Sequence, residues 1–241
     1  MKQRLDQVVA ARGLVRTRSQ AESWIRLGKV YVNGKVQTKP GFAVSENDKV
    51  ILKAGEQYVG RAGLKLASVA KQLALDFKDA VVLDVGSSTG GFTDYALRQG
   101  ARKVIAVEVG KDQLHPTLRG HEKIELHEQT DIRDLTELSE TPDIVVIDVS
   151  FVSLRDILPH LATLITPKTK IVAMVKPQFE AATSNLKHKG VIKNDRMRRD
   201  ILKDFEDWAR RHFVVIAKAD SEVAGSKGNL ERFYKLAKLA S

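Results

Sequence analysis

The chain contains no cysteine in 241 residues. Disulfides, thiolate zinc sites and a cysteine nucleophile are thereby excluded. Its six histidines show no zinc-binding spacing, so no metal is expected. Long apolar runs are missing too. The richest stretches, 157–165 and 171–175, fall short of the roughly 18–20 residues that span a bilayer, and His160, Pro167 and Lys168 interrupt them. From Met1 to Asp6 the chain enters a charged amphipathic pattern instead of the apolar core of a signal peptide. The expectation is a soluble, cytoplasmic protein. With 43% hydrophobic and 29% charged residues, disorder as the dominant state is excluded as well.

What the chain has in excess is positive charge. Lys and Arg number 40 against 30 Asp and Glu, a net charge of +10. Such an excess points to a polyanionic partner, nucleic acid or an acidic membrane surface. It is unevenly spread: residues 1–59 hold 11 basic and five acidic side chains, a net of +6 in a quarter of the length. Within that quarter, Leu5, Val8, Val9 and Leu14 read as one helix face with Gly13 as its stop. Thr17 or Ser19 can cap a second helix, whose stripe is Ala21, Trp24, Ile25 and Leu27. Lys29 to Val32 alternates like a strand, Asn33-Gly34 is a hairpin signal, and Asp48 to Leu52 reads as a closing strand. Lys53 to Gly60 is the expected linker, separating residues 1–59 from a larger domain over 60–241.

Arg4-Leu5-Asp6, Ser19-Gln20-Ala21, Gly28-Lys29-Val30 and Val32-Asn33-Gly34 resemble the RNA-binding domain first described in a small-subunit ribosomal protein. The resemblance implies that Arg4, Arg16, Arg18, Ser19, Arg26, Lys29 and Asn33 meet structured RNA, mostly at phosphates. A second basic cluster, Lys187, Lys189, Lys193, Arg196, Arg198 and Arg199, is equally well read as a solvated face or as an RNA contact.

The larger part alternates apolar strands with helices, which implies a doubly wound α/β sheet with ligands at the carboxyl ends of its strands. Val81 to Gly86 reads as a buried parallel strand, followed by the loop Ser87-Ser88-Thr89-Gly90-Gly91-Phe92. Its Gly86-x-x-x-Gly90-Gly91 spacing departs from the pyrophosphate fingerprint and argues against a nicotinamide cofactor. S-adenosylmethionine, which has no phosphate, suits a longer loop with hydroxyls and an acid. Further strands end in Glu108, Asp148 and Lys176, and Asp131 follows the strand at 124–127. Glu108 is placed to accept ribose hydroxyls and Asp131 to meet an adenine amino group, with Val109 and Ile132 beside them. Lys176 is the most informative position, because a lysine among carboxylates and beside a second lysine is suited to base chemistry.

Five segments together resemble the TlyA family of rRNA 2′-O-ribose methyltransferases, often labelled haemolysins, whose catalytic domain is FtsJ-like: 61–66, 83–94, 147–154, 175–180 and 228–231. The resemblance implies a Rossmann-like S-adenosylmethionine-dependent methyltransferase fold with a small N-terminal α+β RNA-binding domain, acting on ribosomal RNA or ribosomal subunits. It carries a Lys-Asp-Lys-Glu tetrad onto Lys65, Asp148, Lys176 and Glu231. Ser87, Glu108 and Ala62 depart from the family's usual residues without removing a functional group. The competing expectations are a membrane-active haemolysin and a non-catalytic RNA-binding protein that assists ribosome assembly.

Overall fold

A computed structural model describes residues 2–15, 17–53, 58–181, 191–192, 194–225 and 228–239. The N-terminal module runs β1 (Gln3–Arg4), α1 (Leu5–Ala11), α2 (Arg18–Arg26), β2 (Val30–Val32), β3 (Lys35–Gln37), β4 (Ala43–Val44) and β5 (Val50–Leu52). Leu5, Val8 and Val9 are buried on α1, whereas Leu14 lies beyond the end of that helix and packs on the same core from the following turn. Thr17, not Ser19, caps α2: its hydroxyl accepts the Gln20 N–H at 3.2 Å, a contact of about 1 kcal/mol. The Asn33-Gly34 turn joins β2 to β3, and β5 pairs with the other edge of β2. Asn33 closes this small sheet, donating to Asp48 Oδ1 at 2.8 Å and accepting the Lys49 N–H at 2.9 Å.

The larger part continues with α3 (Arg61–Ala70), β6 (Val81–Val85), α4 (Gly91–Arg98), β7 (Lys103–Glu108), β8 (Ile124–Glu128), β9 (Ile144–Ile147), α5 (Leu154–Leu164), β10 (Lys170–Val175), α6 (Pro177–Glu180), α7 (Asp195–His212), β11 (Phe213–Asp220) and β12 (Arg232–Lys238). Its seven strands lie in the order β8-β7-β6-β9-β10-β12-β11. Neighbours from β8 to β10 are parallel, and β12 runs antiparallel to both β10 and β11. The five parallel strands stop within one residue of the ends read from sequence at 86, 108, 127, 148 and 176. The antiparallel pair β11 and β12 was not read there, since Arg232, Lys235 and Lys238 interrupt its apolar signal.

Alternation places Val82, Val104, Ala106, Val146 and Val172 on the sheet face covered by α3 and α4. Leu83, Ile105, Val145, Ile147 and Ala173 face α5 and α7 on the other side. Buried on both faces, such strands must be apolar throughout, which is why they were legible. Strand order reverses between β6 and β9, opening a crevice at their carboxyl ends.

The two parts are packed together. Leu5, Val9, Trp24 and Ile25 belong to the same apolar cluster as Tyr58, Leu64, Leu66, Phe92 and Tyr95. Of the expected linker, 54–57 lie outside the described residues. Tyr58 and Val59 are buried: the Val59 N–H donates to Asp94 Oδ2 at 2.8 Å, and Gln20 Nε2 donates to the Tyr58 carbonyl at 2.7 Å. Among the described residues no helix is long and apolar enough to cross a membrane.

Candidate active site

The carboxyl ends of β6, β7, β9 and β10 bring Asp84, Glu108, Asp148 and Lys176 to one edge of the sheet. After β6 the chain turns sharply at Gly86, whose φ of +80° suits glycine and whose missing Cβ leaves room for the Asp148 carbonyl, 2.9 Å from where that atom would stand. The loop then reaches α4. Gly91 there lets α3 approach, because a Cβ would meet the Gly63 nitrogen at 2.9 Å.

Two adjoining cavities, of about 210 and 470 Å³, share Gly86, Ser88 and Asp148. The smaller is lined by Arg61, Lys65, Asp84, Ser87, Thr89, Gly91 and Phe92. Glu108, Val109, Asp131, Ile132 and Arg133 line the larger, with Phe151 and Val152 opposite. Of the loop residues expected at a cofactor, only Gly90 lines neither; Leu114 and Leu118 crowd it.

Asp84 is fully buried, and its Oδ2 accepts the Thr93 hydroxyl at 2.6 Å. Burial pushes its carboxyl up to about 7, helped by the charges of Asp148 and Glu108 and opposed by the Thr93 hydrogen bonds. Its Oδ1 and the Ser87 hydroxyl are buried without a hydrogen-bond partner. Buried polar atoms left unpaired cost free energy, and these two belong to residues of the smaller cavity's wall, available to a ligand there. Glu108 is already engaged through both oxygens, with the Ser88 N–H at 2.8 Å and the Gly110 N–H at 2.7 Å. Asp131 is gripped by Arg133 at 2.6 and 2.9 Å, and that hydrogen bonding holds its carboxyl below the usual range. Arg133 was missed from sequence; nothing but its position two residues after Asp131 signals it.

Lys65 and Glu231 form a buried ion pair at 2.5 Å, Lys65 from α3 and Glu231 immediately before β12. Lys176 Nζ lies 2.6 Å from Asp148 Oδ1 and donates to Ser150 Oγ at 2.8 Å. Glu180 braces the loops behind this pair, accepting the Ser153 hydroxyl at 2.7 Å and the Leu154 N–H at 2.8 Å. Burial raises its carboxyl above the ordinary value. Phe151 is 92% exposed at the rim, held at φ +66° with its ring 5.2 Å from that of Phe179. A bulky residue in left-handed backbone is strained, and an exposed aromatic ring beside charged groups points to a stacking role.

On the N-terminal module, buried Asp6 holds two half-exposed guanidiniums, Arg4 at 2.8 Å and Arg18 at 2.9 Å. Arg26 and Lys29 are exposed, Ser19 is half-buried, and Asn33 is committed to its own sheet. Arg16 lies outside the described residues, as do Lys187, Lys189 and Lys193 of the second basic cluster. Arg198 of that cluster is taken up by Asp220 at 2.6 Å.

Comparison with known proteins accords with this geometry. Residues 58–238 match the FtsJ-like methyltransferase family, and residues 3–50 match the S4 domain. The chain is 34% identical to the 16S/23S rRNA (cytidine-2′-O)-methyltransferase TlyA of Mycobacterium tuberculosis, over 95% of this chain and 88% of that one. It is 39% identical to the 23S rRNA (cytidine-2′-O)-methyltransferase TlyA of Campylobacter jejuni, over 74% and 70% respectively. Hemolysin A of Brachyspira hyodysenteriae is 33% identical over 95% of this chain and 97% of its own. A solved structure from Streptococcus thermophilus, named for the hemolysins, superposes with a TM-score of 0.72 at 35% identity, covering 100% of this chain and 90% of that one. The α/β methyltransferase fold with a small N-terminal module, expected from sequence, is the fold found, and the chain belongs to the FtsJ-like methyltransferase family and carries an S4 domain at its N-terminal end.

Proposed function

We propose that the protein methylates ribose 2′-hydroxyls of ribosomal RNA with S-adenosylmethionine. The observation that carries this reading is the pairing of Lys176 with Asp148 and of Lys65 with Glu231 around the cavities of the glycine loop. The names of the Mycobacterium and Campylobacter relatives support the RNA substrate. Residues 1–59 would grip RNA, and 60–241 would carry the chemistry.

The donor set fits the cofactor. Asp84 Oδ1 and Ser87 Oγ, buried and unpaired, would meet its polar amino-acid end, Glu108 its ribose, and Asp131 with Ile132 its adenine. When bound, S-adenosylmethionine supplies an electrophilic methyl group on a cationic sulfur. In its neutral amine form, Lys176 Nζ takes the proton of the attacking hydroxyl, a weak nucleophile until that proton leaves. Asp148 and Ser150 hold the resulting ammonium. Lys65, kept in place by Glu231, orients the ribose, and Phe151 offers its ring to the target base.

Asp84 gives the site a pH dependence. An acid whose value is raised on folding stabilises the free protein fully below about pH 4, and that contribution is lost as pH rises through about 7. The cationic cofactor favours the ionised carboxyl, so affinity runs the opposite way. Calorimetry should show S-adenosylmethionine binding about fivefold tighter at pH 7 than at pH 6 and about twofold tighter again at pH 8, with little further gain above that. In Asp84→Asn, binding should be weaker and lose that rise; an unaltered pH profile would remove Asp84 from the site.

The direct test is methyl transfer. Purified protein, labelled S-adenosylmethionine and ribosomal subunits should yield label at discrete riboses, mapped by their resistance to alkaline cleavage. Label on bases alone would overturn the ribose assignment, and absence of label with any ribosomal RNA would favour the non-catalytic alternative.

A further inference from the structure

A third cavity, of about 470 Å³, lies where the two parts of the chain meet. One wall is the end of α2, with Glu22, Ser23 and Arg26. The other is Arg61 at the start of α3 together with Val223, Ala224, Gly225, Gly228 and Leu230. It adjoins the chemistry on two sides. Arg61 also lines the smaller of the active-site cavities, and Leu230, 48% exposed, immediately precedes Glu231.

Its charges are unspent. Among the described residues, Arg26 and Arg61 make no hydrogen bond or ion pair. By contrast, Arg4 and Arg18 on the same module are held by Asp6. A cation in the first turn of a helix, where Arg61 stands, meets the positive end of the helix dipole and is disfavoured unless an anion answers it. The one acid in the groove, Glu22, is 3.9 Å from Arg18 and is thereby partly neutralised. Two unanswered guanidiniums on opposite walls, with an exposed leucine between them and the active site, suit a chain that alternates phosphates with flat apolar bases.

We infer that this groove is the path of the single RNA strand flanking the methylated ribose, with phosphates at Arg26 and Arg61 and a base against Leu230. The inference rests on the ribose methyltransferase reading above. It adds that the S4 domain and the catalytic domain hold one continuous strand, so that the target is selected within a few nucleotides of the S4 contact.

The test uses the full-length protein and deproteinised ribosomal RNA. Wild type is compared with Arg26→Ala, with the double variant Arg26→Ala/Arg61→Ala, and with Ala224→Trp, which obstructs the groove without changing charge. Each lost single-strand phosphate contact lowers the slope of log affinity against log salt by about 0.7. The double variant should therefore lose about 1.4 of that slope. Ala224→Trp should raise the RNA KM severalfold, and Arg26→Ala and Ala224→Trp should bind S-adenosylmethionine as wild type does. With wild type methylating RNA, an unchanged salt slope in the double variant together with an unchanged KM in Ala224→Trp would overturn the groove assignment alone. Failure of wild type to methylate any RNA would instead overturn the reading on which it rests. Weakened binding to intact subunits with unaltered binding to bare RNA would make the occupant a ribosomal protein, and so refute the inference.

Discussion

Lys176→Ala is expected to lower methyl transfer by about 10²–10⁴-fold, the usual worth of a general base, with S-adenosylmethionine affinity nearly unchanged. The two halves of that expectation come from different parts of the geometry. Lys176 Nζ contacts Asp148 and Ser150, whereas the cavities of the glycine loop are lined without Lys176. Removing the ammonium leaves Asp148, 16% exposed, in the wall of both cavities, where a cationic cofactor offsets its uncovered charge, so the cofactor is retained. Lys176→Arg separates base chemistry from electrostatic support. A guanidinium keeps the charge and can pair with Asp148, yet its pKa is too high for it to act as a base. Single-turnover rates should therefore be as low for Arg as for Ala. Activity near wild type in Lys176→Arg would show that the position supplies charge and does not take the proton.

Most of the framework was legible, for a physical reason. Parallel strands buried on both faces must be apolar throughout, so 81–85 and 170–175 announced themselves, and the acids or lysine at their ends stood out as exceptions. Asn33-Gly34 was equally plain because a tight hairpin needs left-handed backbone there. What stayed hidden was whatever depends on partners distant in sequence. Lys65 and Glu231, 166 positions apart, entered one tetrad only through resemblance, and their direct pairing was not read at all; no local pattern marks either residue as buried. Arg133 reads as a solvated cation until its grip on Asp131 is seen. The expected linker shows the same limit. Tyr58 and Val59 follow a polar stretch and look like its continuation, but Tyr58 is buried in the cluster shared with α3 and α4 and Val59 against Leu114 and Leu118, which fixes both as part of the junction. Ser150, Phe151 and Glu180 lay inside segments noted for their resemblance, and only geometry separates the ones that touch Lys176, crown the rim or brace the loops from their neighbours.

Glu231→Ala should be the most destabilising single change in the site, costing about 3–5 kcal/mol as a broken buried ion pair. The side chains of Lys65 and Glu231 are 9% and 3% exposed, and the ion pair spans 2.5 Å. Deleting the carboxylate leaves a largely buried ammonium on α3 without the counter-ion that Glu231 supplies, facing only the small cavity that it lines. For a chain of this size that cost corresponds to a fall in melting temperature of about 6–20 °C. The neighbouring backbone is built around the carboxylate: a Cβ at Gly225 would stand 2.7 Å from Glu231 Oε1. Lys65→Met/Glu231→Met removes both charges and fills the space with apolar atoms, so most of the lost stability should return. Methyl transfer should not return with it, because the ribose would have lost the ammonium that orients it. A double variant as unstable as Glu231→Ala would mean that packing around Gly225, not the stranded charge, sets the cost. A double variant both stable and active would mean that the pair serves the fold alone, leaving Lys176 and Asp148 to carry the chemistry between them.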